Sequence, residues 1–288
     1  MKGIILAGGN GSRLMPITKS YSKQLVPIYD KPLIFYPLCT LMEANISDIL
    51  IISSSNQINN FKFLLGDGKK IGLNISYLVQ ENPNGIAEAF IIGEDFIKGE
   101  SVTLILGDNI FHGHDIGNEF LKNSPISGGL VFIYQVPDPE RYGVVEINKD
   151  NKIISIEEKP KNPKSSLVIT GLYVYDNNII NIAKDIKPSL RNELEITDIN
   201  NIYLRNNRLN FCMLSNSSVW FDAGTPLSLL QSSQYVQAIQ ERQKKLIASP
   251  EIIAFQKKLI DFEQYKSIAN NYEESDYGDY LRNFIIAK

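Results

Sequence analysis

Four short apolar runs divide the first 110 residues, at 2–7 (KGIILA), 48–53 (DILIIS), 74–80 (NISYLVQ) and 101–108 (SVTLILGD). Each is bounded by glycine, asparagine, aspartate or serine, and the third alternates apolar with polar, so all four read as strands. Helical patterning lies between them at 32–44, 57–65 and 85–97. Pro32 opens the first of these helices, and Pro37 inside it implies a kink or a late start. Strand–helix alternation of this kind predicts βαβ units and a parallel sheet covered by helices on both faces.

The alternation then stops. Segments 128–136, 142–148, 152–158 and 166–176 are strand-like and separated by Pro, Asp, Asn and Lys turns, which predicts an antiparallel extension of the sheet. Helices return at about 176–185 and at 195–206, where Ile196, Ile199, Ile202 and Tyr203 share a face, and 212–214 reads as a short strand. Thr225 as N-cap and Pro226 at the first helical position open a long helix with Leu229, Val236, Ile239 and Leu246 on its apolar side. The tail from 249 to 288 is helical, tyrosine-rich and polar. The expected architecture is α/β: a Rossmann-like, mixed, mostly parallel central sheet with helices on both faces, antiparallel extra strands and a C-terminal helical region. It is read as one compact unit, with a core over 1–225 and helices over 226–288 packed on it.

Composition narrows the function. With 29 Lys+Arg against 32 Asp+Glu, the net charge of −3 leaves no basic footprint for nucleic acid, so the expected partners are small molecules or other subunits. No apolar stretch approaches the about 18 residues of a membrane span, and the N-terminal apolar run is too short for a signal peptide. Cys39 and Cys212 form neither a disulfide framework nor a metal spacing; free buried thiols in a reducing cytoplasm are expected. His112 and His114 lie two apart without a third ligand at suitable spacing, so no zinc site is expected.

Chemistry enters at the turn after the first strand, GGNGSRL at 8–14. Glycines there let backbone N–H groups approach phosphate oxygens. A P-loop is excluded because no Lys-Ser or Lys-Thr follows at the required spacing, and the dinucleotide fingerprint lacks its last glycine, which disfavours a dehydrogenase. What stands is G-G-x-G-S-R-L-x-P-x-T, then K-x-L-x-P-I from Lys23, then Lys31-Pro32. Arg13 offers a planar fork and Lys23 a mobile point charge, both outside the loop and both suited to phosphate. Taken alone, G-G-x-G is equally a tight turn with exposed cations.

The whole string resembles the signature of the sugar-nucleotide pyrophosphorylases, which join a nucleoside triphosphate to a sugar 1-phosphate. The resemblance runs on through LGDGKKIGL, EDFI, LGDNIFHGHD, PERYGVVE, EEKP, TGLYVYD, ELEITDIN and WFDAGT to SDYGDYL, nearly the whole chain, and is densest with the short bacterial thymidylyltransferase branch. It implies transfer from dTTP to glucose 1-phosphate, giving dTDP-glucose and pyrophosphate with Mg²⁺. That is the first step towards dTDP-rhamnose and other deoxysugars of surface polysaccharide, and the resemblance also implies a homotetramer with contacts beyond residue 225. The nucleotide part would span about 1–110 and the sugar part about 111–225.

Two polyanions must meet in such a reaction, so positioning and charge neutralisation carry it. The resemblance makes Arg13, Lys23, Asp108 and Lys159 catalytic and gives the metal to Asp108 and Asp222. It places Leu6, Gly8, Gly9, Gly11, Ser12, Arg13, Gln24, Gln80, Gly85 and Asp108 around the nucleotide. Asn109, Gly143, Glu158, Lys159, Thr170, Gly171 and Tyr173 fall around the sugar phosphate. Gln80 is expected to offer both a donor and an acceptor to the N3–H and carbonyl of thymine or uracil. Asp108 ends a strand and so faces the crevice of an open α/β sheet; its pairing with the distant Asp222 comes from the resemblance alone. Without it, Asp108 and Asp222 are turn residues, EEKP is a charged turn and Tyr173 is a strand aromatic. Three positions depart from the pattern: Ser12 for threonine, Asn84 for an acidic residue, and Asn216 for the arginine before the tryptophan, beside a surface associated with feedback by a nucleotide sugar. A uridylyltransferase making UDP-glucose, or a non-catalytic sugar-nucleotide sensor, are the alternatives.

Overall fold

The structure, a computed structural model, describes residues 1–9, 11–113, 117, 127–215 and 217–286. Its strands are β1 (Lys2–Ala7), β2 (Pro27–Ile28), β3 (Lys31–Pro32), β4 (Asp48–Ser53), β5 (Asn74–Val79), β6 (Val102–Leu106), β7 (Asn109–His112), β8 (Gly129–Gln135), β9 (Gly143–Ile147), β10 (Ile153–Glu158), β11 (Leu167–Tyr175), β12 (Leu209–Met213) and β13 (Val219–Asp222). The α-helices are α1 (Phe35–Glu43), α2 (Ile58–Leu65), α3 (Glu88–Ile92), α4 (Glu94–Ile97), α5 (Ile179–Asp185), α6 (Ile196–Arg205), α7 (Pro226–Gln243), α8 (Pro250–Gln256), α9 (Phe262–Asn271) and α10 (Asp276–Ile286).

Among the described residues nine strands form one sheet, ordered β10-β9-β11-β6-β1-β4-β5, with β8 pairing β11 and β12. β6, β1, β4 and β5 run parallel. The nine-residue β11 turns the sheet antiparallel by pairing β6, β8 and β9. Strand periodicity decides the two faces. Ile5, Ile49, Ile51, Ile105, Leu172 and Val174 pack under α1, α2 and the C-terminal helices. Their neighbours Ile4, Leu50, Ile52, Leu104, Tyr173 and Tyr175 pack under α3, α5 and α6. Each such side chain removed from water contributes roughly 1.5–3 kcal/mol, which fixes the register of every central strand. A third cluster (Leu14, Ile28, Leu33, Tyr36, Ile110, Ala223, Leu229, Val236) joins the glycine-loop region to α7.

Several local expectations change. The helix expected from Pro32 starts at Phe35, because Lys31 and Pro32 pair as a strand with Pro27 and Ile28. Pro37 then falls in the first turn, where its missing N–H leaves no bond unmade. Segment 85–97 is helical only from Glu88 and divides at Gly93 into α3 and α4. Leu246 lies beyond α7, which ends at Gln243, and Ile202 is only partly buried. The ribbon of β7 with β13 was not expected. Thr225 caps α7 as expected, its hydroxyl accepting from Ser228 N at 3.2 Å.

The polar-looking tail is part of the main core. Ile253, Ala254, Ile260, Tyr265, Tyr277 and Leu281 are buried in the same cluster as the strands. The tyrosine hydroxyls are spent inside: Tyr272 and Tyr277 donate to Glu251, each at 2.6 Å, and Tyr265 to Leu281 O at 2.9 Å. Lys31 ties this region to the hairpin. Its buried ammonium donates to Asp30 and to Gln240 Oε1 (3.0 Å) and lies over the rings of Tyr36 and Tyr277, at 5.3 and 5.7 Å. Burial holds its pKa below the ordinary lysine value against the pull of Asp30. Lys31→Ala removes the cation and leaves the Asp30 carboxylate with only the Gln240 amide, at 2.9 Å, as its partner. It is expected to cost about 3–5 kcal/mol in urea denaturation; a loss below about 1 kcal/mol would show that the network carries no stability.

Candidate active site

β1 and β6 are adjacent and parallel, and the chain leaves both at the same end of the sheet. After β1, Gly9 and Gly11 take φ of 94° and 55°, and a Cβ on Gly11 would come within 2.8 Å of Thr18. The turn closes on itself through Thr18 Oγ1 to Gly11 O, at 2.8 Å, and carries Arg13 outwards. After β6, Gly107 N donates to Leu6 O, and Asp108 follows at the crevice.

The β7–β13 ribbon brings the distant carboxylates together. Asn109 pairs with Asp222 in register, and Ala223 N donates to Asp108 O at 3.0 Å. Lys23 Nζ donates to the Asp108 carboxylate from a third segment. Arg141 Nη2 reaches Asp222 at 3.4 Å while its Nη1 holds Asp138 at 2.7 Å. A Cβ on Gly224 would come within 2.9 Å of the Asp222 carboxylate and 3.1 Å of the Arg13 guanidinium, so this glycine is what lets the two lie close. Burial opposes charge on Asp108, but the Lys23 ammonium, with hydrogen bonds from Lys23 and Asn109, holds its pKa below the usual carboxylate range. Asp222 goes the other way: burial first, and then the charge of Asp108, raise it against Lys23, Arg13 and Arg141.

Two cavities meet here, and both are lined by Ile86, Leu106 and Asp108. The larger, about 450 Å³, collects Arg13, Asn109, Gly143, Glu158, Lys159, Thr170, Gly171, Tyr173 and Asp222. The smaller, about 220 Å³, collects Leu6, Gly8, Gly9, Gln24, Gln80 and Gly85. Lys23 reaches the junction through Asp108. Gly11 and Ser12 line neither cavity, and the Ser12 side chain is exposed.

Local bonds set the walls. Asn109 Oδ1 accepts from Trp220 Nε1 (2.6 Å) and Gly171 N (3.1 Å), and its Nδ2 donates to Asp108 at 2.9 Å. A side chain at Gly171 would collide with that amide at 2.5 Å. Glu158 accepts from Thr197 Oγ1 at 2.5 Å and from Arg191 at 3.4 Å, and Lys159 lies 3.5 Å from it. The Thr170 hydroxyl is taken by Phe132 O at 3.0 Å. Tyr173 is buried, and burial raises its phenol, with the charges of Glu158 and Asp108 acting the same way. Gln80 departs from expectation: its NH₂ donates to Glu88 Oε2 (2.7 Å) and Gly85 O (3.3 Å), leaving the acceptor rather than both groups for a ligand.

Sequence reasoning missed Arg141, Tyr142, Thr197, Asn200 and Trp220, all of which line the larger cavity. Thr197 and Asn200 are three apart on α6, a spacing that marks one helix face, but the isoleucines around them drew the reading. Asn200 is fully buried; its Oδ1 accepts from Tyr175 at 2.5 Å, and its Nδ2 has no partner among the described residues. His112 binds Tyr235 OH at 2.7 Å, and His114 and Asn216 lie outside the described residues.

A model of the nucleotidyl transferase family matches residues 2–239. The chain belongs to that family. It is 49% identical over 283 residues to a glucose-1-phosphate thymidylyltransferase of Neisseria meningitidis, covering 98% of each chain. It is 48% identical to one of Mycolicibacterium smegmatis, again over 98% of each. A Bacillus anthracis crystal structure assigned to the same enzyme, in complex with a sucrose, superposes with a TM-score of 0.76 at 44% identity, over 82% of this chain and 94% of that one. A UDP-glucose pyrophosphorylase complexed with UDP-glucose gives 0.71 at 26% identity, over 82% and 98%. The chain is thus a nucleotidyltransferase in the glucose-1-phosphate thymidylyltransferase branch.

Because burial, and then the charge of Asp108, weigh against an ionised Asp222, Asp222→Asn is expected to raise the melting temperature of the metal-free protein at pH 8. The sign follows from the raised pKa: the penalty exists above the folded-state value and fades as the folded protein takes up its proton. The gain should therefore shrink towards pH 4 in parallel thermal scans of both proteins.

Proposed function

We propose that the chain transfers a thymidylyl group from dTTP to α-D-glucose 1-phosphate, releasing pyrophosphate and dTDP-glucose. The observation that carries the reading is the junction itself: two cavities of unequal size share Asp108, which Lys23 binds, while Arg13 and Lys159 line the larger one from two other segments. A sugar-phosphate oxygen attacks the α-phosphorus in line and the bond to the β-phosphate oxygen breaks, so no proton need move. The nucleotide occupies the smaller cavity, against Leu6, Gly8, Gly9, Gln24, Gln80 and Gly85, with Gly11 and Ser12 turned to the outer phosphates. The sugar phosphate occupies the larger, against Asn109, Gly143, Glu158, Thr170, Gly171 and Tyr173.

Arg13 neutralises the departing pyrophosphate, Lys23 the α-phosphate and Lys159 the incoming sugar phosphate. Cations on separate segments suit this task, because each can attend a different phosphate. Glu158 accepts from sugar hydroxyls, and the unpartnered Asn200 amide supplies a buried donor on the same wall.

Among the described residues no cluster of three or more metal-ligating acids, histidines or cysteines exists. Two carboxylates lining one cavity fit Mg²⁺, which takes one or two protein carboxylates and otherwise phosphate and water. Asp108 and Asp222 would hold it, and when bound it supplies charge neutralisation across the phosphates. Burial raises Asp222 first and the charge of Asp108 second, and a dication would relieve the second of these.

No helix among the described residues is long and apolar enough to cross a membrane. We place the enzyme in the cytoplasm as a homotetramer joined through the helices beyond residue 225.

Pyrophosphate release should be greatest with dTTP, glucose 1-phosphate and Mg²⁺, and should stop on chelation. Release from no nucleotide–sugar pair would point to a sensor, and a higher kcat/KM with UTP to a uridylyltransferase. Lys159→Ala is expected to raise KM for glucose 1-phosphate about tenfold or more while moving KM for dTTP little. Asp108→Asn should lower kcat about a hundredfold or more, and normal turnover by that variant would remove the metal assignment.

A further inference from the structure

We propose that Glu88, which lines neither cavity, sets which pyrimidine the enzyme accepts by fixing the amide of Gln80. The inference rests on the reading of the smaller cavity as the base site. Gln80 is 5% exposed and stands beside Gly8, where a Cβ would come within 2.5 Å of Gln80 Oε1. Behind it, Glu88 Oε2 accepts from Gln80 Nε2 at 2.7 Å, and Gly85 O accepts from the same nitrogen at 3.3 Å. Among the described residues no donor reaches Gln80 Oε1. The other Glu88 oxygen accepts from Asn84 Nδ2 at 2.8 Å, so the carboxylate is itself held from two sides.

A primary amide is nearly symmetric in shape, and only its hydrogen bonds decide which end faces a ligand. A carboxylate has no proton to give, so turning the Gln80 amide over would set its oxygen against Glu88 Oε2 and against Gly85 O. The nitrogen is therefore held inwards and the oxygen is left for the base. An acceptor at that place matches the N3–H of thymine or uracil. It opposes the N3 lone pair of cytosine, which only the flipped amide would satisfy. Glu88 is thus a positioning residue, and Asn84 positions Glu88.

The test compares kcat/KM for dUTP and dCTP, which share a sugar and lack the methyl, with glucose 1-phosphate as acceptor. In Glu88→Gln the new amide can give either end to Gln80, and the dUTP-over-dCTP preference is expected to fall about tenfold. The dTTP-over-dUTP ratio should not move, because those bases share the same N3 edge. Combining Asn84→Asp with Glu88→Gln puts a carboxylate at position 84 to accept the new NH₂. The oxygen of the new amide then turns back to Gln80, so the preference should return. This double variant also keeps the test alive if the single one folds poorly. An unchanged preference in Glu88→Gln, with a collapsed one in Gln80→Leu, overturns the role of Glu88 and leaves the base site standing. An unchanged preference in Gln80→Leu overturns the base-site reading itself. A loss in Glu88→Gln that also shifts dTTP against dUTP and is not restored in the double variant reduces Glu88 to a structural residue.

Discussion

Two carboxylates, Asp108 and Asp222, line one cavity at the mouth of this fold, near enough for the charge of one to add to what burial imposes on the other. Like charges at close range in a partly desolvated cleft repel far more strongly than in water. The protein answers unequally: Lys23 and Asn109 keep Asp108 ionised, while Asp222 carries the strain of burial and of its neighbour. Such an arrangement has to be imposed by backbone, since side chains free to move would separate. The β7–β13 ribbon imposes it, and the packing of Ile110, Ala223, Leu14 and Leu229 beneath holds that ribbon to α7 and to the glycine-loop region. Packing here underwrites electrostatics.

How much of this was legible follows from the range of the interaction concerned. The central strands were visible because each is buried on both faces and so reads as an uninterrupted apolar run. The α7 cap was visible because Thr225 and Pro226 act within one turn. The β7–β13 ribbon was not, because each half is four residues long and its pairing partner is a distant segment. For the same reason nothing in the spacing joined Asp108 to Asp222; only the likeness of the whole string to other proteins did. Lys31 shows a contact of the same long range. It sits in the same motif string as Arg13 and Lys23, yet its ammonium is buried against Asp30, Gln240 and two tyrosine rings, far from any role as a free cation.

Tyrosine accounts for the polar look of the tail in the sequence. Its ring is as large an apolar body as phenylalanine, but its hydroxyl lowers every hydropathy average. In α8 to α10 those hydroxyls converge on Glu251 and on backbone, which satisfies them and lets the rings join the core. A similar masking hid Thr197 and Asn200. Short polar residues between isoleucines on α6 look like the outer face of an amphipathic helix, but both are buried. They belong to the sector that looks into the larger cavity.

The division of the site into two cavities also bounds how selective each half can be. Where a buried polar group must find its complement, a ligand with the wrong donor or acceptor leaves that group unpaired, and the penalty is large. The Gln80 oxygen in the smaller cavity and the Asn200 amide in the larger are groups of that kind, facing base and sugar on the reading proposed above. The 5-methyl group that separates thymine from uracil has no such partner. It can be read only by apolar contact, and the smaller cavity offers Leu6, Pro83, Ile86 and Leu106 for it. One methyl in such surroundings is worth about 1–3 kcal/mol. Selection among pyrimidines should therefore be steep at the N3 edge and shallow at C5, so a preference for dTTP over UTP has to draw on the ribose as well as the base.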